Sequence, residues 1–278
     1  MSEAVAIQGE LGSFSHQAAG QMLPRAAVVP CALSAQVFEA LMKGRVQAAV
    51  IPIENSLAGP VTEHYDLLLR HSCYIESESR MRIVHNLIAA HGVRLSAVRR
   101  VLSHPVALAQ CRRFFDRNPR LRPEPFYDTA GSVKHILEQG SADAAAIAGI
   151  LAAREYSGRV LKAGIEDNNQ NFTRFLLVRR LRKTTKKVPV LAGSSKTSIA
   201  FAVRNRAGTL FRALRAFADE GISMAKIESR PVPGKPWEYV FYADLHCGPG
   251  EEARRALAAL RRQSDFVKIL GIYPSARE

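Results

Sequence analysis

The feature that most constrains this chain is a recurring unit in which a short, mainly apolar run stops at a cluster of small polar side chains. Val46-Gln47-Ala48-Ala49-Val50-Ile51-Pro52-Ile53 stops at Glu54-Asn55-Ser56. Arg99-Arg100-Val101-Leu102-Ser103 and Ala144-Ala145-Ala146-Ile147-Ala148 have the same character, and Val5 and Ile7 lead at once into Gly9-Glu10-Leu11-Gly12. Apolar runs of this length, bounded by turn residues, predict buried strands. Helices fit residues 35–43, 107–115 and 132–139 between them. Strand–helix alternation predicts an α/β architecture with mostly parallel sheet. Ligands of such sheets bind beyond the carboxyl ends of the strands, where the polar clusters fall.

A different pattern follows about residue 182. Arg179-Arg180-Leu181-Arg182-Lys183 with Lys186-Lys187 is basic and Ala192-Gly193-Ser194-Ser195 is small, as in a solvated, flexible linker. A strand over residues 197–203 and a helix from near Gly208 come next, then strands over 223–229 and 238–245. A helix over 251–260 puts Ala253, Leu257 and Leu260 on one face, and a last strand covers 267–272. The order βαββαβ is ferredoxin-like, with helices on one face of an antiparallel sheet. Its open edges invite pairing with a second copy. The domains expected are 1–183, a linker over 184–195, and 196–278.

Composition removes several function classes. The 278 residues are 47% hydrophobic and 23% charged, as in an ordinary globular protein. No apolar run is long enough to cross a bilayer, and the chain opens on a strand rather than a leader, so a cytoplasmic protein with no membrane partner is expected. Cys31, Cys73, Cys111 and Cys247 are far apart, with no C-x-x-C and no His at ligand spacing, which reads as buried thiols and no metal. The net charge of +14 is spread along the chain apart from the basic cluster. No nucleic-acid signature accompanies it, and a positive field draws in small anions.

Five segments carry candidate chemistry. Gly9-Glu10-Leu11-Gly12-Ser13-Phe14-Ser15-His16-Gln17 is a strand–turn–helix junction whose Ser13 or Ser15 can cap a helix that offers free N–H groups to an anion. Glu54-Asn55-Ser56 places amide and hydroxyl donors after a strand, with Glu54 able to orient them or pair with a cation. In Ser103-His104-Pro105, Ser103 sits where a cap belongs and Pro105 suits the first helical turn. His104 can titrate near neutrality, and Gln110 lies two turns on. Asp128-Thr129-Ala130-Gly131-Ser132 is a small polar stretch before a helix, able to cradle a carboxylate through its backbone. Asn171-Phe172-Thr173-Arg174-Phe175 brings a hydroxyl, a guanidinium and aromatics together before the apolar run Leu176-Leu177-Val178. Arg174 can bind a carboxylate bidentately, Thr173 can fix a proton donor, and Phe175 can exclude water. Each segment also has a plain reading as a loop, a helix start or an edge strand.

In order and over nearly the whole chain, these segments resemble the prephenate dehydratase family. Pro52-Ile53-Glu54-Asn55-Ser56 with Gly59 and Val61 looks like its ENS motif. Ser103 to Cys111 resembles its SHPQALAQC segment, and Asn171 to Phe175 its N-x-T-R-F signature. Lys196-Thr197-Ser198-Ile199 with Asn205-Arg206-Ala207-Gly208-Thr209-Leu210 resembles the start of the attached ACT domain, and Glu228-Ser229-Arg230-Pro231 matches its ESRP motif. Thr209 departs from the Ala of the family's GALV motif, Glu10 stands where Pro is common, and Pro60 and His64 are also unusual.

The resemblance implies a two-lobed, periplasmic-binding-protein-like catalytic domain followed by the ferredoxin-like ACT domain. It implies a lyase that removes water and carbon dioxide from prephenate to give phenylpyruvate, without a cofactor. Thr173, Glu54, Asn55, Ser56 and Gln110 are the catalytic candidates it points to. Ser13, Phe14, Ser103, His104, Thr129, Ala130, Arg174 and Phe175 are the substrate-binding ones. Phenylalanine is the implied allosteric ligand, held by Asn205, Ala207, Gly208, Thr209, Leu210, Glu228, Ser229 and Arg230 between paired ACT domains of a homodimer or homotetramer. Asp128 to Ser132 has the look of the segment found in arogenate-using members, so arogenate stands beside prephenate as substrate. A different class is also open: a solute-binding module without catalysis, coupled to an amino-acid sensor.

Overall fold

The structure, a computed structural model, describes residues 3–182, 184, 187–232, 234–235 and 237–276. The backbone forms two compact units, Met1–Val61 with Arg80–Phe175, and Thr62–Ser79 with Leu176–Glu278. In chain order the elements are β1 (Ala4–Gln8), α1 (Phe14–Met22), β2 (Ala27–Cys31), α2 (Ser34–Lys43), β3 (Ala48–Asn55), β4 (Gly59–Pro60), α3 (Thr62–Arg70) and β5 (Cys73–Arg82). Then come β6 (Asn86–Ala89), β7 (Arg100–Ser103), α4 (Pro105–Ala109), α5 (Arg112–Asp116), β8 (Arg122–Pro125), α6 (Thr129–Glu138), β9 (Ala144–Ala148), α7 (Ile150–Glu155) and β10 (Arg159–Lys162). The chain continues through β11 (Phe172–Arg180), β12 (Lys196–Ala202), α8 (Thr209–Ala218), β13 (Met224–Pro231), β14 (Tyr239–Leu245), α9 (Glu251–Gln263) and β15 (Phe266–Tyr273).

The first unit has two lobes, each built on its own sheet. One sheet runs β2-β1-β3-β11-β5, with β4 against β3, and β1 is parallel to both its neighbours. Val5, Ala6, Ile7 and Ala48 through Ile51 are wholly buried there, so the apolar runs are strands covered on both faces. The other sheet runs β10-β6-β9-β7-β8. In it β7 is parallel to β8 and β9, but β6 is antiparallel to β9 and β10. This lobe is therefore mixed rather than mostly parallel. β6 enters it directly from β5, a strand of the other sheet.

Two helices differ from their sequence pattern. The helix expected over 107–115 breaks at Gln110-Cys111 into α4 and α5. The Asp167 carboxylate accepts from Arg112 N at 2.9 Å and Arg113 N at 3.0 Å, starting a new helix there. The helix expected to begin at Ser132 begins at Thr129, with Asp128 as its N-cap.

In the second unit, β13-β14-β12-β15 form an antiparallel sheet. Ile199, Phe201, Ala243 and Leu245 on one face meet the apolar sides of α8 and α9. The opposite face carries Lys196, Ser198, Tyr242 and Asp244, all buried, with α3 and the start of β5 against it. Lys196 pairs with Glu78, Tyr65 lies with its ring centroid 5.0 Å from that of Tyr242, and Lys268 Nζ donates to the carbonyls of Leu68, Leu69 and His71 at the end of α3. The stretch expected to be a flexible linker is tied down in part. Val190 bridges to Ile272, Ser194 Oγ donates to Ile272 O at 3.0 Å, and Ser195 N donates to Tyr273 O at 3.1 Å. Lys183, Thr185 and Lys186, which belong to the basic cluster and the linker, lie outside the described residues. All four cysteines are free thiols. Among the described residues no helix is long and apolar enough to cross a membrane.

Candidate active site

The site is assembled where β3 ends beside the start of β11. Asn55 Oδ1 accepts from Leu57 N at 3.0 Å and Ala58 N at 2.8 Å, as Asn does in a tight turn. Those two backbone donors fix the amide, so Nδ2 is the atom turned toward β11. It donates to Asn171 Oδ1 at 2.7 Å, Thr173 Oγ1 at 2.9 Å and Phe172 O at 3.1 Å. Ser56 fastens the same two segments. Its N donates to Phe172 O, and its Oγ donates to Gln170 O and accepts from Phe172 N, both at 2.9 Å.

The consequence for Thr173 is chemical. Its hydroxyl oxygen already receives a hydrogen bond from Asn55, so its own proton is free to be given to another acceptor. Thr173 is buried at 8% exposure. Phe175, two residues on and so on the same face of the strand, is 1% exposed and keeps that face dry.

The network continues into the other lobe. Asn171 Nδ2 donates to Gln110 Oε1 at 2.9 Å, and the same oxygen lies 2.8 Å from His85 Nε2. An oxygen that takes both contacts makes His85 Nε2 the protonated ring nitrogen. Burial lowers the pKa of His85, opposed by its bond to Gln110 and the charge of Glu166, so the ring is neutral near pH 7. A cavity of about 490 Å³ adjoins the network, with Gln110, Asn171, Leu57, Ala58, Val106 and Glu166 in its wall.

Arg174, 7% exposed, pairs with Glu54 at 3.2 Å. The guanidinium is thus matched within the protein, as the ability of Glu54 to pair with a cation suggests. Ser13 caps α1, its Oγ accepting from His16 N at 3.3 Å. The Phe14 ring meets His85 edge-on, with centroids 5.7 Å apart. Ser103 is not the cap of α4. It is wholly buried and its Oγ donates to Ile147 O at 2.6 Å. The exposed His104 takes the capping role, Nδ1 accepting from Val106 N at 3.2 Å. Thr129 and Ala130 form the first turn of α6, but the amides there have an occupant in the Asp128 carboxylate. It accepts from Gly131 N at 2.7 Å and draws a second bond from Ala130. Burial nevertheless pushes the Asp128 carboxyl above its usual range.

The turn after β1 is where the lobes touch. Gly12 has φ 82°, and a Cβ there would stand 2.7 Å from Ala152 Cα of α7, so only glycine fits. Glu10 accepts from Tyr127 Oη at 3.0 Å and pairs with Lys134 at 3.2 Å. Tyr156 Oη donates to Leu11 O at 2.9 Å. Glu10, unusual on sequence grounds, is thereby a strut between lobes.

In the second unit, the turn before α8 is held by Thr209, whose Oγ1 contacts Arg204 O at 2.6 Å and Arg206 O at 2.8 Å. Asn205 Nδ2 donates to Trp237 O at 3.2 Å, and Gly208 takes φ 78°. Ala207 is exposed and Leu210 half-buried in this turn. Glu228 lies 3.8 Å from Lys226, Arg230 pairs with Asp66 of α3 at 2.8 Å, and Ser229 is exposed. The turn and the Glu228–Arg230 segment make no hydrogen bond with each other among the described residues.

Sequence reasoning passed over His85, the strut formed by Glu10, and the cap formed by Asp167. A single histidine between two strands carries no local signal, and the other two act on partners far along the chain.

These features define a two-lobed α/β enzyme with a dry hydroxyl donor at its centre and a C-terminal ferredoxin-like module. Residues 5–183 match the family model described as prephenate dehydratase, and residues 197–262 match the ACT domain model. The chain belongs to the prephenate dehydratase family of lyases. It is 40% identical to the chloroplastic arogenate dehydratase/prephenate dehydratase 2 of Arabidopsis thaliana, over 97% of this chain and 72% of that one. A prephenate dehydratase from Arthrobacter aurescens, solved in complex with L-Phe, is 32% identical with a TM-score of 0.89, covering 98% of this chain and 90% of that one. A structure described as GqqA, a novel type of quorum quenching acylase, is 33% identical with the same TM-score, covering 98% of each chain.

Proposed function

We propose that this enzyme converts prephenate to phenylpyruvate, water and carbon dioxide, and that phenylalanine bound at its ACT module restrains it. The observation that carries the reading is the Asn55–Thr173 hydrogen bond, which turns the threonine into a donor in a dry site. In prephenate the ring hydroxyl stands para to a ring carboxylate. As the carbon–carboxylate bond breaks, its electron pair enters the ring; the carbon–oxygen bond breaks with its pair left on oxygen. The ring becomes aromatic, so no redox partner is required. What is needed is stabilisation of negative charge on the departing oxygen, and a fixed donor where water is excluded supplies it. The proton that completes water comes from solvent, since a threonine hydroxyl is too weak an acid to be consumed.

The Arg174–Glu54 pair fits the same logic. An unopposed guanidinium on the ring carboxylate would hold the ground state as tightly as the transition state and slow loss of carbon dioxide. With Glu54 at 3.2 Å its charge is tempered. Arogenate is the second reading, favoured by the names of the plant relatives and by the Asp128–Ser132 segment. Offering prephenate and arogenate side by side and identifying the products decides between them; failure to act on either refutes both.

Regulation is proposed through a homodimer or a homotetramer. Phe211 at 70%, Ile227 at 42% and Trp237 at 76% exposure leave apolar area on the ACT module that a second copy can cover. Light scattering with and without phenylalanine tests this, and a monomer in both conditions contradicts it.

A further inference from the structure

His85 joins the site through one ring nitrogen and leaves the other uncommitted. The residue is 2% exposed. Its backbone N donates to Glu166 Oε2 at 3.0 Å, and its carbonyl accepts from Ile165 N at 2.9 Å. Nε2 is spent on Gln110, and Phe14 bears on the ring. Of the His85 atoms, Nδ1 alone finds no hydrogen-bond partner among the described residues. Because Gln110 Oε1 accepts from both Asn171 and His85, Nδ1 carries a lone pair rather than a proton. A buried acceptor left unpaired is destabilising, and this one stands in the hydrogen-bond network that orients Thr173.

We infer that His85 Nδ1 is a substrate-contacting acceptor that takes a hydrogen bond from the ring hydroxyl, the group that departs. The assignment rests on the reading of the site as a dehydratase. Prephenate has two carboxylates and a ketone, all acceptors, so its ring hydroxyl is the only donor it can present to a lone pair. Held through its hydrogen, that oxygen keeps its own lone pairs for the Thr173 donor. His85 takes no proton. The carbon–oxygen bond breaks toward oxygen as before, and the product water still has a hydrogen to give to Nδ1.

His85→Gln tests it, since the longer amide can keep a donor on Gln110 while removing the Nδ1 acceptor. The unaltered enzyme is first shown to form phenylpyruvate from prephenate; failure there sinks the dehydratase reading instead. For the variant, kcat/KM is expected to fall about tenfold to a hundredfold, the loss of one hydrogen bond. Inhibition by phenylpyruvate, which has no ring hydroxyl, should be unchanged. Normal kcat/KM overturns the proposal, and so does an equal loss of phenylpyruvate inhibition, which would make His85 a mere support. The unaltered enzyme gives an independent check should the variant fold poorly. Its kcat/KM should fall on the acid side as Nδ1 gains a proton, below the ordinary histidine range, while phenylpyruvate inhibition shows no matching limb. Glu166, paired with Arg82 at 3.3 Å, is the charged group that acts on the ring. An acid limb shared by both ligands contradicts the inference.

Discussion

Replacing Asn55 by Asp keeps the shape of the side chain and reverses its hydrogen bond with Thr173. The oxygen facing Leu57 N and Ala58 N is retained, so the turn after β3 keeps both its bonds. The nitrogen facing Thr173 and Asn171 becomes a second carboxylate oxygen. Thr173 must then donate to residue 55, and the proton it holds for the substrate is withdrawn. The three donor contacts of Nδ2 are lost, at 2.9 Å to Thr173, 2.7 Å to Asn171 and 3.1 Å to Phe172 O, which costs about 1–3 kcal/mol of stability. The effect on catalysis is larger: loss of one positioned donor to developing charge costs about 2.7–4 kcal/mol, or about 10²–10³ in kcat. KM should change little, because the donor matters most as the bond breaks. The assay is phenylpyruvate absorbance in alkali against prephenate concentration at pH 7, with Thr173→Ser, which keeps the hydroxyl, as control. An Asn55→Asp enzyme with near-normal kcat would refute the directionality argued for Thr173.

Other perturbations probe the frame around the site. Gly12→Ala sets a Cβ 2.7 Å from Ala152 Cα at a positive φ, which should cost about 1–3 kcal/mol; both the melting temperature and kcat should fall, and an unchanged pair contradicts the close approach of the lobes. Thr209→Ala removes the contacts to Arg204 O and Arg206 O. A loss of about 0.5–1.5 kcal/mol should loosen the turn and change the phenylalanine concentration for half-inhibition, with catalysis of the free enzyme unaltered. Asp66→Asn breaks the pair with Arg230, whose side chains are 22% and 23% exposed. About 1 kcal/mol or less of stability is at stake, so a change in phenylalanine response beyond that would mark the pair as part of the regulatory coupling.

The parts of this fold that sequence makes legible are those decided locally. Val5, Ile7, Val50 and Ile53 are apolar because their strands are buried, and Asn55 and Ser56 follow because a strand's end must turn. The βαββαβ order is visible for the same reason. What sequence hides is set by distant partners. Nothing near residue 110 says that α4 must stop, because the capping carboxylate is Asp167, 55 positions from Arg112. His85 carries no spacing signal, since its importance comes from Gln110, 25 positions away. Ser103 looks like a cap and is not one, because Ile147 O on the neighbouring strand takes its hydroxyl. Glu10 looks like a departure from the family and proves to hold Tyr127 and Lys134.

The most direct measurement on the centre of this mechanism is the turnover of Thr173→Val, which keeps the shape of the side chain and removes only its hydroxyl. With prephenate, kcat should fall by about 10²–10³ while phenylpyruvate still inhibits as before. A variant that turns over prephenate at close to the normal rate would show that the proton Asn55 frees on Thr173 is not the one the reaction uses.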